Sequence, residues 1–346
     1  MIEFWALAWI SGLLPGLLVA GLGGWAGRCF RRHGVVDEPD QTRRLHAQAT
    51  PRGGGLLVAG ALVLVLCIQM WVLGTWAKWW PLGLLVLWAT TMGWLEDIRP
   101  RPIRYRLLGQ FGLALAVAFW LGAIVSVPLG PWLWVNPWLW TGLGVIALVW
   151  LMNLHNFMDG TDGLAASQGV WSAACYAILF YGADQQAWAA FAIAMLGGYA
   201  GFVVWNRPVA RLFMGDTGSL LLGCLVGIFA YQAISSGAAS LVTCLMISAV
   251  FVVDATATLL WRITSGQQWY TAHASHAFQR LVAGGLSHAQ VLGVYMTLNI
   301  GLVLPLFIGA LFWPEYELWF GMGLLFVLVF GWWRIQRQTM NLGLEG

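Results

Sequence analysis

The sequence predicts an all-α protein that crosses a membrane about eleven times. Three observations predict it. Only 9% of the 346 residues are charged and 60% are hydrophobic, whereas a soluble domain carries roughly 25% charged residues. So little polar surface could not cover a water-soluble particle. Apolar runs near the ~20 residues that a spanning helix needs recur along the whole chain. Finally, the arginines keep to alternate connections between those runs.

The runs, in order, are 4–26, 54–74, 81–95, 107–127, 138–154, 167–182, 188–205, 216–233, 239–261, 288–312 and 317–333. The start, Met1-Ile2-Glu3, has no positive charge, and arginines follow the first run. That run therefore reads as a transmembrane helix rather than a cleaved signal. No polar stretch is long enough to bury its own core, so residues 1–346 read as one polytopic domain. Alternation places all 16 arginines on one side and the single Lys78 on the other. The excess of positive charge marks the cytoplasmic side, which puts the N-terminus in the periplasm and the C-terminus inside. Trp71, Trp76, Trp79, Trp80, Trp132, Trp134, Trp138 and Trp313 fall on the outer side, where indole rings suit the headgroup zone. The five cysteines show no metal-type spacing and imply no disulfide framework.

All six histidines and most acids share the arginine side. A solute carrier would place ionisable groups at mid-membrane; this distribution predicts an enzyme working at the inner membrane surface. Five connections carry the chemistry. The first holds Asp37-Glu38-Pro39-Asp40, Arg43, Arg44, His46, and Thr50-Pro51-Arg52-Gly53-Gly54-Gly55. A glycine triplet opening a helix lets backbone N–H groups approach an anion, and arginine suits phosphate. The second is Glu96-Asp97 followed by Arg99, Arg101, Arg104 and Arg106. Adjacent carboxylates repel unless a proton or cation sits between them, and Mg²⁺ takes oxygen ligands. The bland reading of both is basic juxtamembrane sequence that sets topology.

The third, Asn153 to Gly163, breaks an apolar run with amides, glycines, Asp159 and Asp162. Two carboxylates three residues apart share a helical face, and the absence of arginine here argues for a metal or nucleotide site. The fourth runs from Asn206 through Phe213 to Asp216 and Ser219. Asp216 stands at a helix start, either as a cap or as a magnesium ligand. The fifth contains His273, His276 and Arg280. Two histidines without a third ligand fit a diphosphate better than zinc.

In order and content these five segments resemble the polyprenyl-phosphate N-acetylhexosamine-1-phosphate transferases, over roughly residues 37–281. The runs NFMDGTDGLA (156–165) and FMGDTGS (213–219) carry most of the likeness. The resemblance implies transfer of a sugar 1-phosphate from a UDP-amino sugar to undecaprenyl phosphate, with release of UMP. It implies Mg²⁺ or Mn²⁺ as cofactor, a multi-pass protein of the bacterial inner membrane in contact with lipid, and no nucleic-acid partner. Members often form homodimers. Carried over position by position, Asp216 matches the principal metal ligand, with Asp97 and Asn156 beside it. Asp97 also matches the residue expected to meet the lipid phosphate; its neighbour Glu96 stands where the family has Asp. Asp159 falls in the catalytic set with His273 and His276. Asn156, Asp162, Asn206 and Phe213 match the nucleotide side, and His46, Arg52, Arg104 and Arg280 the substrate phosphates.

The resemblance is nearest to the WbpL and WecA types that begin O-antigen and other surface polysaccharides. The late segment reads His-Ala-Ser-His instead of the consecutive histidines of the phospho-MurNAc-pentapeptide transferases of peptidoglycan synthesis. The latter stay as the alternative within the class. A lipid-linked sugar transporter is the alternative outside it, with Asp254 as the one acid buried within a predicted span rather than at its end.

Overall fold

A computed structural model of the chain describes residues 2–37, 49–129, 132–268 and 274–341. Helices dominate it. They are α1 (Ile2–Arg32), α2 (Gly55–Leu73), α3 (Trp76–Ile98), α4 (Ile103–Leu121), α5 (Pro137–Phe157), α6 (Leu164–Gly182) and α7 (Gln186–Asn206). After them come α8 (Gly215–Ser235), α9 (Leu241–Thr264), α10 (Ala277–Ala283), α11 (His288–Leu298), α12 (Leu304–Phe312) and α13 (Glu317–Asn341). A π-helical turn, Asn299–Val303, joins α11 to α12. Every predicted run overlaps a helix, α11 and α12 together forming the tenth, although the run 107–127 continues past Leu121, where α4 ends, to the strand beginning at Ser126.

Among the described residues, nine helical segments are long and apolar enough to cross a membrane, so the protein is an all-α, multi-pass membrane protein. The predicted runs number two more, α3 and α4. Polar ends shorten their apolar stretch: Lys78, Glu96 and Asp97 in α3, Arg104 and Arg106 in α4. The sequence also gave no sign of sheet, yet Ser126–Leu129 (β1) pairs antiparallel with Trp132–Val135 (β2). The aromatic Trp132 and Trp134 and the β-branched Val127 and Val135 favour that hairpin.

Helix ends follow local chemistry. Asn136 Oδ1 accepts from Leu139 N–H and Pro137 opens α5, whose first N–H needs no partner. Ser287 and Gln290 close a reciprocal capping box on α11. Between helices, lipid supplies no hydrophobic drive, so close packing and polar contacts hold the bundle. Gly12 and Gly16 of α1 meet Gly197 and Gly201 of α7 backbone to backbone; a Cβ on Gly197 would stand 1.9 Å from the Gly12 carbonyl oxygen. Asn153 Nδ2 donates to Gln110 Oε1 (2.7 Å) and Asn299 Nδ2 to Gln168 Oε1 (2.7 Å), each worth about 0.6 kcal/mol.

The larger apolar core lies around α2, α3, α6, α7 and α8, and a second one around α9, α10, α11 and α13. Helix α8 is the most enclosed. Its N-terminus sits where α3 and α5 end, and α11 starts beside the α5–α6 connection. The five sequence segments are thereby brought toward one end of the bundle.

Candidate active site

A cavity of about 200 Å³ opens at that end, lined by Asp37, Arg52, Asp97, Asn156, Asp159, Gly160, Thr161, Asp162, Asn206, Phe213, Gly215, Asp216 and His288. Its geometry is set by Asp97. The last turn of α3 points this side chain, 0% exposed, at the start of α8. One oxygen accepts from Asp216 N–H (2.9 Å), the other from Thr217 N–H (3.0 Å) and the Thr217 hydroxyl. The first N–H groups of a helix lack intrahelical partners, and here a carboxylate 119 residues earlier in the chain supplies the cap. Gly215 makes this possible. Its φ is +73°, and a Cβ there would stand 2.5 Å from Asp97 Oδ2.

The cap decides the role of Asp216. Because Asp97 satisfies the helix start, the Asp216 carboxylate is not needed there. Among the described residues it makes no hydrogen bond or ion pair, and neither does that of Asp159. Loss of solvent around Asp159, then the charges of Asp216, Asp97, Asp162 and Asp37, raise its carboxyl well above the ordinary 3.8. A folded-state pKa raised in this way costs stability once the pH exceeds the ordinary value. Without divalent cation, thermal melts should therefore fall as pH rises from 5 to 8. Asp159→Asn should flatten that slope and raise the melting temperature by a few degrees; an unchanged slope would remove Asp159 from the charge cluster.

Among the described residues, no three His, Cys, Asp or Glu side chains close into a cage for a metal. Mg²⁺ does not require one: it binds one or two carboxylates, substrate phosphates and water. Asp159 and Asp216 fit that pattern. Asp97 was also expected to hold metal, but its oxygens face α8 N–H groups. Asn156 lines the cavity and donates from Nδ2 to Ser219 Oγ (3.0 Å), tying α5 to α8.

The remaining expected residues divide. Arg52 lies in the cavity, its Nη1 3.8 Å from Asp37 and its Nε 3.8 Å from Asp97. Asp162 accepts from Ala210 N–H (3.1 Å) and meets His288 at 3.3 Å. Asn206 accepts from Gly163 N–H (3.0 Å) and donates to the Leu212 carbonyl (3.1 Å), so its amide braces two loops. Phe213 lines the cavity, and its backbone bonds to Pro51 and Gly54. The glycine triplet acts differently from the anion loop expected of it. Gly54 and Gly55 N–H donate to the carbonyls of Phe213 and Met214. A Cβ on Gly55 would stand 2.2 Å from Gly218 N, so this glycine lets two backbones touch.

Glu96 does not line the cavity. It accepts from Arg101 N–H (3.1 Å) at the end of α3, since neighbours on a helix cannot face one point. Glu96→Gln should keep kcat within about threefold, because an amide oxygen still accepts that bond; complete inactivation would place Glu96 in the chemistry. Arg104 is exposed over the Tyr105 ring at 5.0 Å, and Arg280 is buried against Trp261 at 5.5 Å; neither lines the cavity. His276 stacks on Phe157 (6.1 Å), beside Asn156, and sits 3.8 Å from Asp254. Asp254, the acid that had suggested transport, accepts from Ala277 N–H, Thr258 and Tyr295. It is a structural cap for α10. His46 and His273 lie outside the described residues. His288 and Asp37 line the cavity without having been singled out as site residues. For Asp37 the acidic opening segment was a signal; for His288 the only one was its place on the arginine side, because its partner Asp162 lies 126 residues away.

Comparison with known proteins gives independent information. The model of the family described as "Glycosyl transferase family 4" matches residues 79–234. A phospho-N-acetylmuramoyl-pentapeptide-transferase of Moorella thermoacetica is 33% identical over 220 residues, covering 60% of this chain and 67% of the relative. One from Synechococcus sp. (strain JA-3-3Ab) is 33% identical over 314 residues, covering 85% and 87%. A probable undecaprenyl-phosphate N-acetylglucosaminyl 1-phosphate transferase of Bacillus subtilis is 27% identical over 334 residues, covering 93% and 88%.

Proposed function

We propose that this chain, which belongs to glycosyl transferase family 4 and is a phosphosugar transferase, moves an N-acetylated amino-sugar 1-phosphate from a UDP-sugar to undecaprenyl phosphate. UMP leaves, and undecaprenyl-diphosphate sugar remains. The observation that carries this reading is the pair Asp159 and Asp216, two cavity-lining carboxylates with no hydrogen bond or ion pair among the described residues, in one cavity with Arg52. The restriction of the arginines to alternate connections between the apolar runs supports a site at the cytoplasmic face of the inner membrane.

The nucleophile is a phosphate oxygen. A phosphate monoester has its second pKa near ~6, so at neutral pH no general base has to remove a proton. That oxygen bonds to the β-phosphorus as the bond from β-phosphorus to the bridging oxygen breaks, and the bridging oxygen leaves on UMP. One phosphoanhydride replaces another, so catalysis consists of positioning two anions and neutralising charge. Asp216 and Asp159 would hold Mg²⁺ or Mn²⁺, which would neutralise charge on the diphosphate oxygens. Arg52 supplies a fixed guanidinium, which Asp37 and Asp97 orient. Asp97 holds the helix that carries Asp216 and takes no proton.

Sugar choice follows from supporting signs of unequal kind. His-Ala-Ser-His spacing in the late segment favours GlcNAc, FucNAc, QuiNAc or a similar sugar for a surface polysaccharide such as O-antigen. The names of the Moorella and Synechococcus relatives favour UDP-MurNAc-pentapeptide as the second reading. Purified protein with undecaprenyl phosphate and Mg²⁺, assayed for UMP release across these UDP-sugars, tests both. Release from small UDP-sugars supports the first reading, release from the pentapeptide substrate alone supports the second, and no release from any overturns the proposal.

A further inference from the structure

The opposite end of the bundle holds a second polar cavity. Helix α8 starts at the candidate active site and ends 21 residues later at Ser235, about 30 Å away. There a cavity of about 610 Å³ opens between β1 and the turns that join α8 to α9 and α12 to α13. Val125, Leu311 and Pro314 on its wall are exposed. Trp313, next in the chain to Pro314, is exposed as well, and indole rings suit the headgroup zone.

The polar groups of this cavity are acceptors. Among the described residues lining it, Glu317 is the one that carries a charge. Its Oε2 accepts from the Thr243 hydroxyl at 3.2 Å. Ser235 and Ser236 donate to the Gln232 carbonyl at 3.2 and 2.6 Å. A hydroxyl has a single proton, so Thr243, Ser235 and Ser236 have lone pairs left and no further donor. The C-terminus of α8 adds partial negative charge at the same place. The group that completes this set is a cation with several N–H donors. Val125, Leu179, Ala310 and Leu311 make the remaining wall apolar, and the volume far exceeds a bare metal ion. The ligand therefore carries hydrocarbon beside its charge.

We propose that this cavity binds the headgroup of a phospholipid bearing a primary ammonium, anchored on Glu317, with its acyl chains leaving past Leu311 into the bilayer. A trimethylated ammonium has the charge without N–H donors, and a glycerol headgroup has hydroxyls without the cation. The site stands apart from the transferase reading and does not depend on it.

The test is equilibrium lipid binding to the full-length protein in detergent, read by native mass spectrometry. The probes are phosphatidylethanolamine, phosphatidylcholine and phosphatidylglycerol with identical acyl chains. Wild type is expected to bind phosphatidylethanolamine about tenfold more tightly than the other two, the scale of one hydrogen bond to a charged group. Glu317→Gln should remove that preference and keep the lipid-free melting curve, because an amide oxygen still accepts from Thr243. Glu317→Asp keeps the charge, should recover part of the preference, and serves if the glutamine variant fails to fold. Glu315→Gln removes an exposed acid that does not line the cavity and should leave the preference intact. Equal affinity of wild type for the three lipids overturns the assignment. So does a preference that survives in Glu317→Gln, or one that Glu315→Gln abolishes equally. Free ethanolamine or Ca²⁺ bound as tightly as phosphatidylethanolamine, and lost in Glu317→Gln, overturns a lipid as the occupant.

Discussion

Asp216→Asn is expected to lower kcat by about 10³-fold or more, because the charge neutralisation that a cation on the proposed Asp216 site would supply is worth several kcal/mol. The fold should survive. Asp216 reaches its helix start through its backbone N–H, which bonds to Asp97, and asparagine keeps that N–H. Melting temperature without cation should be unchanged or slightly higher, since one charge leaves a crowded group that includes Asp159 and Asp97. Stabilisation by added Mg²⁺ should disappear. Substantial turnover by this variant would separate Asp216 from the reaction.

Asp97→Ala has the second large expected effect, and a different signature. Its carboxylate satisfies two backbone N–H groups and one hydroxyl at the start of α8. A buried donor left without a partner costs about 1–3 kcal/mol. Removing the carboxylate also leaves Arg52 without its nearest counter-charge on α3. Activity and melting temperature should therefore fall together, and Mg²⁺ should restore little. Loss of kcat with an unchanged melting curve would instead make Asp97 a base or a metal ligand.

Part of this arrangement is legible in the sequence. Apolar runs of spanning length located the long helices, since the bilayer demands that length and polarity. Asp159, Asp162 and Asp216 were readable because a carboxylate interrupting an apolar run has few purely structural reasons to be there. Neighbourhood in sequence misled in two places. Glu96 and Asp97 looked like a pair, but helical geometry turns them to different sides. The glycine triplet looked like an anion loop, but the N–H groups of Gly54 and Gly55 meet the carbonyls of Phe213 and Met214 across the bundle. The cap on α8 and the Asp162–His288 contact join residues more than a hundred positions apart. No local pattern encodes such contacts; they exist only once α3, α5, α8 and α11 are packed.

In the proposed function a cation would sit between Asp216 and Asp159, with Asp97 facing the helix instead. Anomalous scattering from Mn²⁺ in crystals of the protein measures this directly. One peak within coordination distance of the Asp216 carboxylate, with Asp159 facing it and Asp97 still bonded to Thr217, is the result expected. A peak on Glu96 and Asp97, with Asp216 turned away, would contradict it.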